Sequence, residues 1–309
     1  MKPIIVIVGP TASGKTDLSI RIAKSLNGEC INADSTQIFK GTDIATNKIT
    51  LEEMDNIKHY LLSIKEVNET YSVAEFQKDA RNFIDKIHKM NKIPIIVGGT
   101  GLYINALLMN YKFSGDDHIK DFSKKFDELD NIELWNILNN IDKIEANKIH
   151  PNNRYRVIRA LEIIELNKNS KSNIIKNNKT FYYKNIIMIG LEPKREELYV
   201  RINNRVLDLV NRGLIQEIEL AYKMCEYNES SQSLKCIGGP EIISYLKGKI
   251  TYESAIEEMQ KNNRHYARRQ LTWFKNQFDC IKWYEFSYIN FEETCNSILT
   301  YLKKVKRVD

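Results

Sequence analysis

Ile4-Ile5-Val6-Ile7-Val8-Gly9-Pro10-Thr11-Ala12-Ser13-Gly14-Lys15-Thr16 decides how the rest of the chain is read. The five apolar residues predict a strand, and the next eight fit G-x-x-x-x-G-K-[ST], the loop that wraps phosphates in backbone N–H groups. Gly9 and Gly14 lack a Cβ, so the backbone of Pro10-Thr11-Ala12-Ser13 can turn successive N–H groups, those after Pro10, inward onto an anion. The following helix adds the positive end of its dipole. Lys15 supplies a full charge, and the Thr16 hydroxyl is placed to ligate a magnesium ion that bridges phosphate oxygens. The plainer reading is an ordinary strand-to-helix turn.

Outward from this motif, strand and helix alternate. A helix is expected from Lys15 to Leu26, ended by Gly28. A strand from Glu29 to Ala33 then delivers Asp34-Ser35-Thr36-Gln37 to the edge where open α/β sheets bind ligands. Ser72-Val73-Ala74-Glu75 is a capping-box pattern, opening a helix with apolar positions Val73, Phe76, Ala80, Phe83 and Ile87. Ile93-Pro94-Ile95-Ile96-Val97 reads as a buried parallel strand running into a second tight turn, Gly98-Gly99-Thr100-Gly101. The fold class is therefore α/β, a P-loop doubly wound parallel sheet. From Ser114 only helical segments follow, until Ile186-Ile187-Met188-Ile189 restores a strand. This predicts a core of residues 1–113 and 186–309 and a mostly helical insertion over 114–185. Within the insertion, Asn167 to Lys179 reads as an exposed loop. Further helices are expected from Lys194 to Asn211, stopped by Gly213, and from Thr251 to Phe278.

Composition narrows the class. A chain of 309 residues with 42% apolar content can bury a large core plus an insertion. The formal charge of +6 is too mild to prove a polyanionic partner, so the placement of basic residues must carry that argument. Five cysteines without a C-x-x-C pair predict a reduced, intracellular protein without structural zinc. No leader and no membrane span are expected, since no apolar run approaches the ~20 residues a span needs. The expected location is the cytoplasm.

Asp34, at the end of its strand beside the phosphate loop, can hold magnesium or take a proton; capping the next turn is the plainer role. Arg205 falls on one helical stripe, about 60° wide, with Leu198, Ile202 and Leu209. A core-facing arginine keeps its charge and demands an anion, either a bound pyrophosphate or an acidic side chain. Between Lys261 and Lys275 there is no acidic residue. On a helix Lys261, Arg264, Arg268 and Lys275 share one face, while Tyr266 and Trp273 lie nearly opposite. Such a stripe suits a nucleic-acid backbone. Arg154, Arg156 and Arg159 form a second basic group after Ile149-His150-Pro151-Asn152-Asn153.

Taken together, these motifs resemble the tRNA dimethylallyltransferases along essentially the whole chain. The likeness rests on residues 9–16, Asp34-Ser35-Thr36-Gln37, Tyr71-Ser72-Val73-Ala74-Glu75-Phe76 and Gly98-Gly99-Thr100-Gly101-Leu102-Tyr103. It continues through Ile149-His150-Pro151-Asn152, the segment 156–161 and Arg268-Arg269-Gln270-Leu271-Thr272-Trp273-Phe274. The resemblance implies a cytoplasmic enzyme that moves a dimethylallyl group from dimethylallyl pyrophosphate to the N6 amine of the adenosine 3′ of the anticodon. It implies Mg2+ as cofactor and the anticodon stem-loop of tRNA as partner; a monomer is the expected state.

Carried onto this chain, the resemblance makes Asp34 the general base, while Lys15, Thr16 and Arg205 stabilise the departing pyrophosphate and Thr100 positions it. Ser35, Thr36 and Gln37 would contact the target nucleotide. Tyr155, Arg156, Val157, Ile158 and Arg159 would meet the stem-loop, as would Arg264 and Arg268. One departure stands out: the family has Ile-Gly-Tyr and a basic residue where this chain reads Ile237-Gly238-Gly239-Pro240. The usual tRNA contact is not expected there. A small-molecule kinase using ATP through the same loop is the alternative; it would have no use for the basic helix. A non-catalytic RNA-binding protein is a third reading, against which Lys15, Thr16 and Asp34 argue.

Overall fold

In a computed structural model of the chain, residues 2–111, 119, 121–167 and 180–306 are described. The expected boundary at 113/114 and nearly all of the expected loop at 167–179 lie outside them. Two compact units are present, Met1–Leu107 with Lys184–Asp309, and Leu108–Tyr183.

The first unit is built on six parallel strands, β1 (Ile4–Val8), β2 (Gly28–Asn32), β3 (His59–Tyr60), β4 (Ile93–Val97), β5 (Ile186–Pro193) and β6 (Lys282–Phe286), in the order β3-β2-β4-β1-β5-β6. Alternate side chains of β1, β4 and β5 face one layer, where Ile5, Ile7, Ile95 and Ile189 meet Leu18 and Ile22 of α1 (Lys15–Leu26). Cys295 and Ile298, from a C-terminal helix, complete that layer. On the opposite face α2 (Val73–Lys89) covers β2 and β4 and buries Phe76, Ala80, Ile84 and Ile87. Helices on both faces make the sheet doubly wound.

Local chemistry sets the boundaries. The Ser72 hydroxyl accepts from the Glu75 N–H while the Glu75 carboxylate accepts from the Ser72 N–H, so the expected capping box opens α2. At the end of α1 the sequence reading shifts by one residue. Asn27 takes the left-handed cap, its N–H donating to Ala23 O, and Gly28 already belongs to β2. An amide side chain tolerates that conformation better than most, which is why Asn can do the work expected of Gly.

α3 (Gly101–Leu108) leads out of this unit. In the second unit, α4 (Asn131–Ile141), α5 (Lys143–Ala146) and α6 (Arg154–Asn167) enclose Leu134, Leu138, Ala146, Val157, Ala160 and Leu161. The Trp135 indole N–H donates to the carbonyls of Ala146 and Ile149, at 3.0 and 2.8 Å, and so fastens the helix pair. Back in the first unit come α7 (Arg195–Asn211), α8 (Leu214–Met224), α9 (Gly239–Leu246), α10 (Tyr252–Gln277) and α11 (Phe291–Lys306). Among the described residues no helix is long and apolar enough to cross a membrane.

Candidate active site

The phosphate loop leaves β1 at the middle of the sheet, and its neighbours β4 and β2 end alongside it. Gly98 N–H donates to Ile7 O at 3.4 Å and Ala33 N–H to Val97 O at 2.8 Å, so three strand ends meet. Gly14 sits at φ +86°, the left-handed region, immediately before Lys15 starts α1. A Cβ there would lie 2.6 Å from the Phe291 ring, so this position excludes a side chain twice over. Ala12 also holds a positive φ, +65°. The Lys15 ammonium is folded back onto Pro10 O at 2.6 Å. Burial pushes its pKa down to about 8, against the opposing pull of Asp34.

A cavity of about 460 Å³ opens over the loop. Lys15, Thr16, Asp34, Arg205 and Gln37, all named by the sequence reading, line it together. Asp34 does cap its own turn: Oδ1 accepts from the Thr36 N–H at 3.0 Å and the Thr36 hydroxyl at 2.7 Å. Its Oδ2 has no hydrogen bond among the described residues. The capping and chemical roles are thus compatible, one oxygen for each. Thr100 does not line the cavity. Its hydroxyl accepts from the Ser35 N–H at 2.9 Å and donates to the Ser35 hydroxyl at 3.2 Å, which pins the segment carrying Asp34 to the second glycine turn. Tyr266, from α10, stands beside Thr100 and Gln270, and burial, with Asp34 nearby, raises its pKa.

Arg205 resolves the choice left open by its stripe. Leu198, Ile202 and Leu209 are buried, and Arg205 reaches the phosphate loop instead of an acidic partner, Nη1 lying 3.4 Å from Thr11 Oγ1. No carboxylate among the described residues forms an ion pair with it. Burial, and then Arg201, lowers its pKa.

The basic helix α10 is more committed to its own fold than its sequence suggests. Arg264 donates to Asn203 Oδ1 at 2.6 Å, and Lys275 pairs with Glu192 at 2.6 Å. Lys261, Arg268 and Arg269 are exposed. In the second unit, Tyr155 is 75% exposed and Arg156 is exposed, whereas Arg159 pairs with Glu162 at 2.6 Å. Ile158 is partly buried against the core. Val157 corrects the sequence reading: its side chain is wholly buried in that core, so it offers no surface to an RNA. Arg154 serves the fold as well, donating to Leu129 O and Phe126 O. At the departure noted above, Gly239 opens α9, and a Cβ on it would lie 2.0 Å from Leu234 O. This backbone has no room for an aromatic there.

Three lining or bracing residues were given no site role by the sequence reading. Gln270 accepts from the Thr11 N–H at 2.7 Å and donates to Gly99 O at 3.0 Å, tying the two glycine turns together. Tyr288 donates to Ala12 O at 2.8 Å, and Arg201 lines the cavity. The one available signal was a neutral amide on the core side of a strongly basic helix, at Gln270. Nothing local marks Tyr288.

Comparison with known proteins agrees with this architecture. A family model described as IPP transferase matches residues 37–277. The tRNA dimethylallyltransferase of Anoxybacillus flavithermus is 44% identical over 301 residues, which is 97% of this chain and 96% of that protein. That of Staphylococcus epidermidis is 41% identical, covering 97% and 92%. Among solved structures, the tRNA isopentenylpyrophosphate transferase of Bacillus halodurans superposes with a TM-score of 0.75 at 39% identity, over 99% of this chain and 97% of that one. A eukaryotic dimethylallyltransferase acting on tRNA gives 0.84 at 31% identity, over 96% and 77%.

Proposed function

The chain belongs to the tRNA dimethylallyltransferase family and is a prenyltransferase acting on tRNA; within that activity we propose that the donor is dimethylallyl pyrophosphate and the acceptor is the N6 amine of the adenosine 3′ of the anticodon. One observation carries this reading: the phosphate loop, Lys15 and Arg205 line the same cavity as Asp34, whose Oδ2 has no hydrogen bond among the described residues. An anionic leaving group and a proton acceptor are what an allylic transfer to an amine requires.

In the proposed step the adenine nitrogen attacks the first carbon of the dimethylallyl group. The N–C bond forms as the C–O bond to the diphosphate breaks, and the amine proton passes to Asp34. The adenosine is turned out of its stack to reach this depth. Lys15 and Arg205 hold the diphosphate as negative charge builds on it, and Thr100 keeps Ser35, and thereby Asp34, in place. No group of three His, Cys, Asp or Glu side chains among the described residues forms a metal cage. Thr16 lines the cavity, and its hydroxyl would hold a Mg2+ ion there alongside the bound diphosphate. When bound, that ion neutralises charge on the departing diphosphate.

Ser35, Thr36 and Gln37 then meet the target nucleotide. The anticodon stem-loop is contacted by exposed Tyr155 and Arg156, and by Arg159, Arg264 and Arg268. We further propose that the enzyme acts in the cytoplasm as a monomer. The kinase alternative is not favoured by the family the chain belongs to.

The full chain, incubated with unmodified tRNA, dimethylallyl pyrophosphate and Mg2+, is expected to yield isopentenyladenosine on nucleoside digestion. Unmodified tRNA at saturating donor would reject the assignment.

A pH dependence follows from Lys15. The free enzyme has its ammonium pKa near 8, and a bound diphosphate stabilises the charged form and raises it. Donor affinity is therefore level below pH 8 and falls above it by up to about tenfold per pH unit until the pKa of the complex is passed. Titration of the donor between pH 7 and 10 checks this, and an affinity that stays flat contradicts it.

A further inference from the structure

Arg201 and Arg205 stand four residues apart on α7, so their side chains are neighbours on one face. Leu198 and Ile202, beside them, pack on Ala12 of the phosphate loop, which fixes this part of the helix against the loop. Both guanidinium groups line the cavity, and neither forms an ion pair with a carboxylate among the described residues. The obvious partner for Arg201 is Glu197, one turn back. That carboxylate is occupied elsewhere: Oε2 accepts from the Ser287 hydroxyl and from the Tyr288 N–H, both at 2.9 Å. Glu197 thus holds in place the residue on whose ring Arg201 rests.

The Arg201 guanidinium lies 4.5 Å from the centroid of the Tyr288 ring. The Tyr288 hydroxyl is anchored on Ala12 O at 2.8 Å. Stacking on a ring orients a guanidinium without using any of its N–H donors. An exposed, flexible arginine is thereby held over the phosphate loop with its hydrogen-bonding capacity intact. Two unpaired guanidinium groups beside Lys15 repel one another until an anion with several negative charges arrives. A diphosphate is such an anion, and planar guanidinium groups match its oxygens in pairs.

We propose that Arg201 is a second diphosphate-binding arginine of the donor site and that Tyr288 is the positioning residue that aims it. The assignment rests on the donor reading given above. Arg205 reaches the diphosphate from beside Thr11, and Arg201 closes over it from the side of Ala12. Both hold the leaving group after the C–O bond has broken.

The test is direct titration of the full chain with inorganic pyrophosphate and Mg2+ at pH 7.5, with thermal unfolding run alongside. R201A is expected to weaken pyrophosphate binding by about tenfold or more, the usual cost of losing charged hydrogen bonds. R201K recovers part of that loss, since it keeps the charge without the fork. Y288F, which keeps the ring and loses the Ala12 bond, costs about threefold. Y288L costs more than Y288F, and its effect combined with R201A is less than the product of the two, because the ring acts through the arginine. A merely structural Tyr288 would give independent effects and a lowered unfolding midpoint. Pyrophosphate affinity unchanged in R201A, with K15A as the weakened control, overturns the assignment and leaves the donor reading standing. Failure of the unaltered chain to bind pyrophosphate overturns both.

Discussion

Asp34→Asn slows transfer by about a thousandfold at saturating substrates while the donor still binds. The asparagine retains an oxygen to accept from the Thr36 N–H and hydroxyl, so the turn that Asp34 caps survives the substitution. What disappears is the basic oxygen that faces the cavity. A single-turnover measurement of isopentenyladenosine formation reads the effect free of product release. The same experiment separates the two chemical roles open to a carboxylate here. If Asp34 served the metal, excess Mg2+ would restore much of the lost rate; as a proton acceptor it stays lost at any Mg2+ concentration. A rate within a few fold of the unaltered enzyme removes Asp34 from the chemistry altogether.

Gly98→Ala combines the largest expected loss of stability with a loss of activity. An added Cβ would lie 2.3 Å from both the carbonyl carbon and the oxygen of Ala33, and 2.8 Å from its Cα. Backbone cannot swing aside as the tip of a flexible side chain can. The ends of β2 and β4 must separate, although Ala33 N–H is bonded to Val97 O and Thr100 N–H to Ala33 O. The strain costs about 1–3 kcal/mol, read as a shift in the denaturation midpoint. Asp34 follows Ala33 directly, so it moves away from the phosphate loop. Displacement of about an ångström at a reacting group lowers the rate roughly a hundredfold. Normal stability and activity in this variant would mean that the three strand ends are not held as tightly as their geometry implies.

Much of the core was legible because its signals are local. The β1 run, the P-loop and the helix behind it are contiguous, so α1 spans the residues expected of it, Lys15 to Leu26. Ser72 and Glu75 are three residues apart and announce α2 by themselves. Elements at the sheet edges were not legible. β3 has two residues, too few for any period, and β6 reads Lys-Trp-Tyr-Glu-Phe, the mixed pattern of a strand with one neighbour.

The same division holds in the site. Lys15, Thr16 and Asp34 lie within two short motifs that name their chemistry. Gln270, Tyr288 and Phe291 reach the loop from some 260 to 280 residues away, and no local spacing encodes such a meeting. Val157 shows the opposite error. It stands between two arginines in a basic segment, yet helical geometry turns it inward while Arg156 faces out.

Sheet order has a consequence for how the enzyme is made. During synthesis β1, which lies between β4 and β5, waits without either neighbour while some ninety residues follow it. Its phosphate loop waits longer still. Gln270 braces Thr11, Tyr288 anchors Ala12, and Phe291 fills the space against Gly14, all from some 260 to 280 residues further along the chain. A nascent chain therefore carries the complete loop motif through more than 250 further residues of synthesis before these three braces are made.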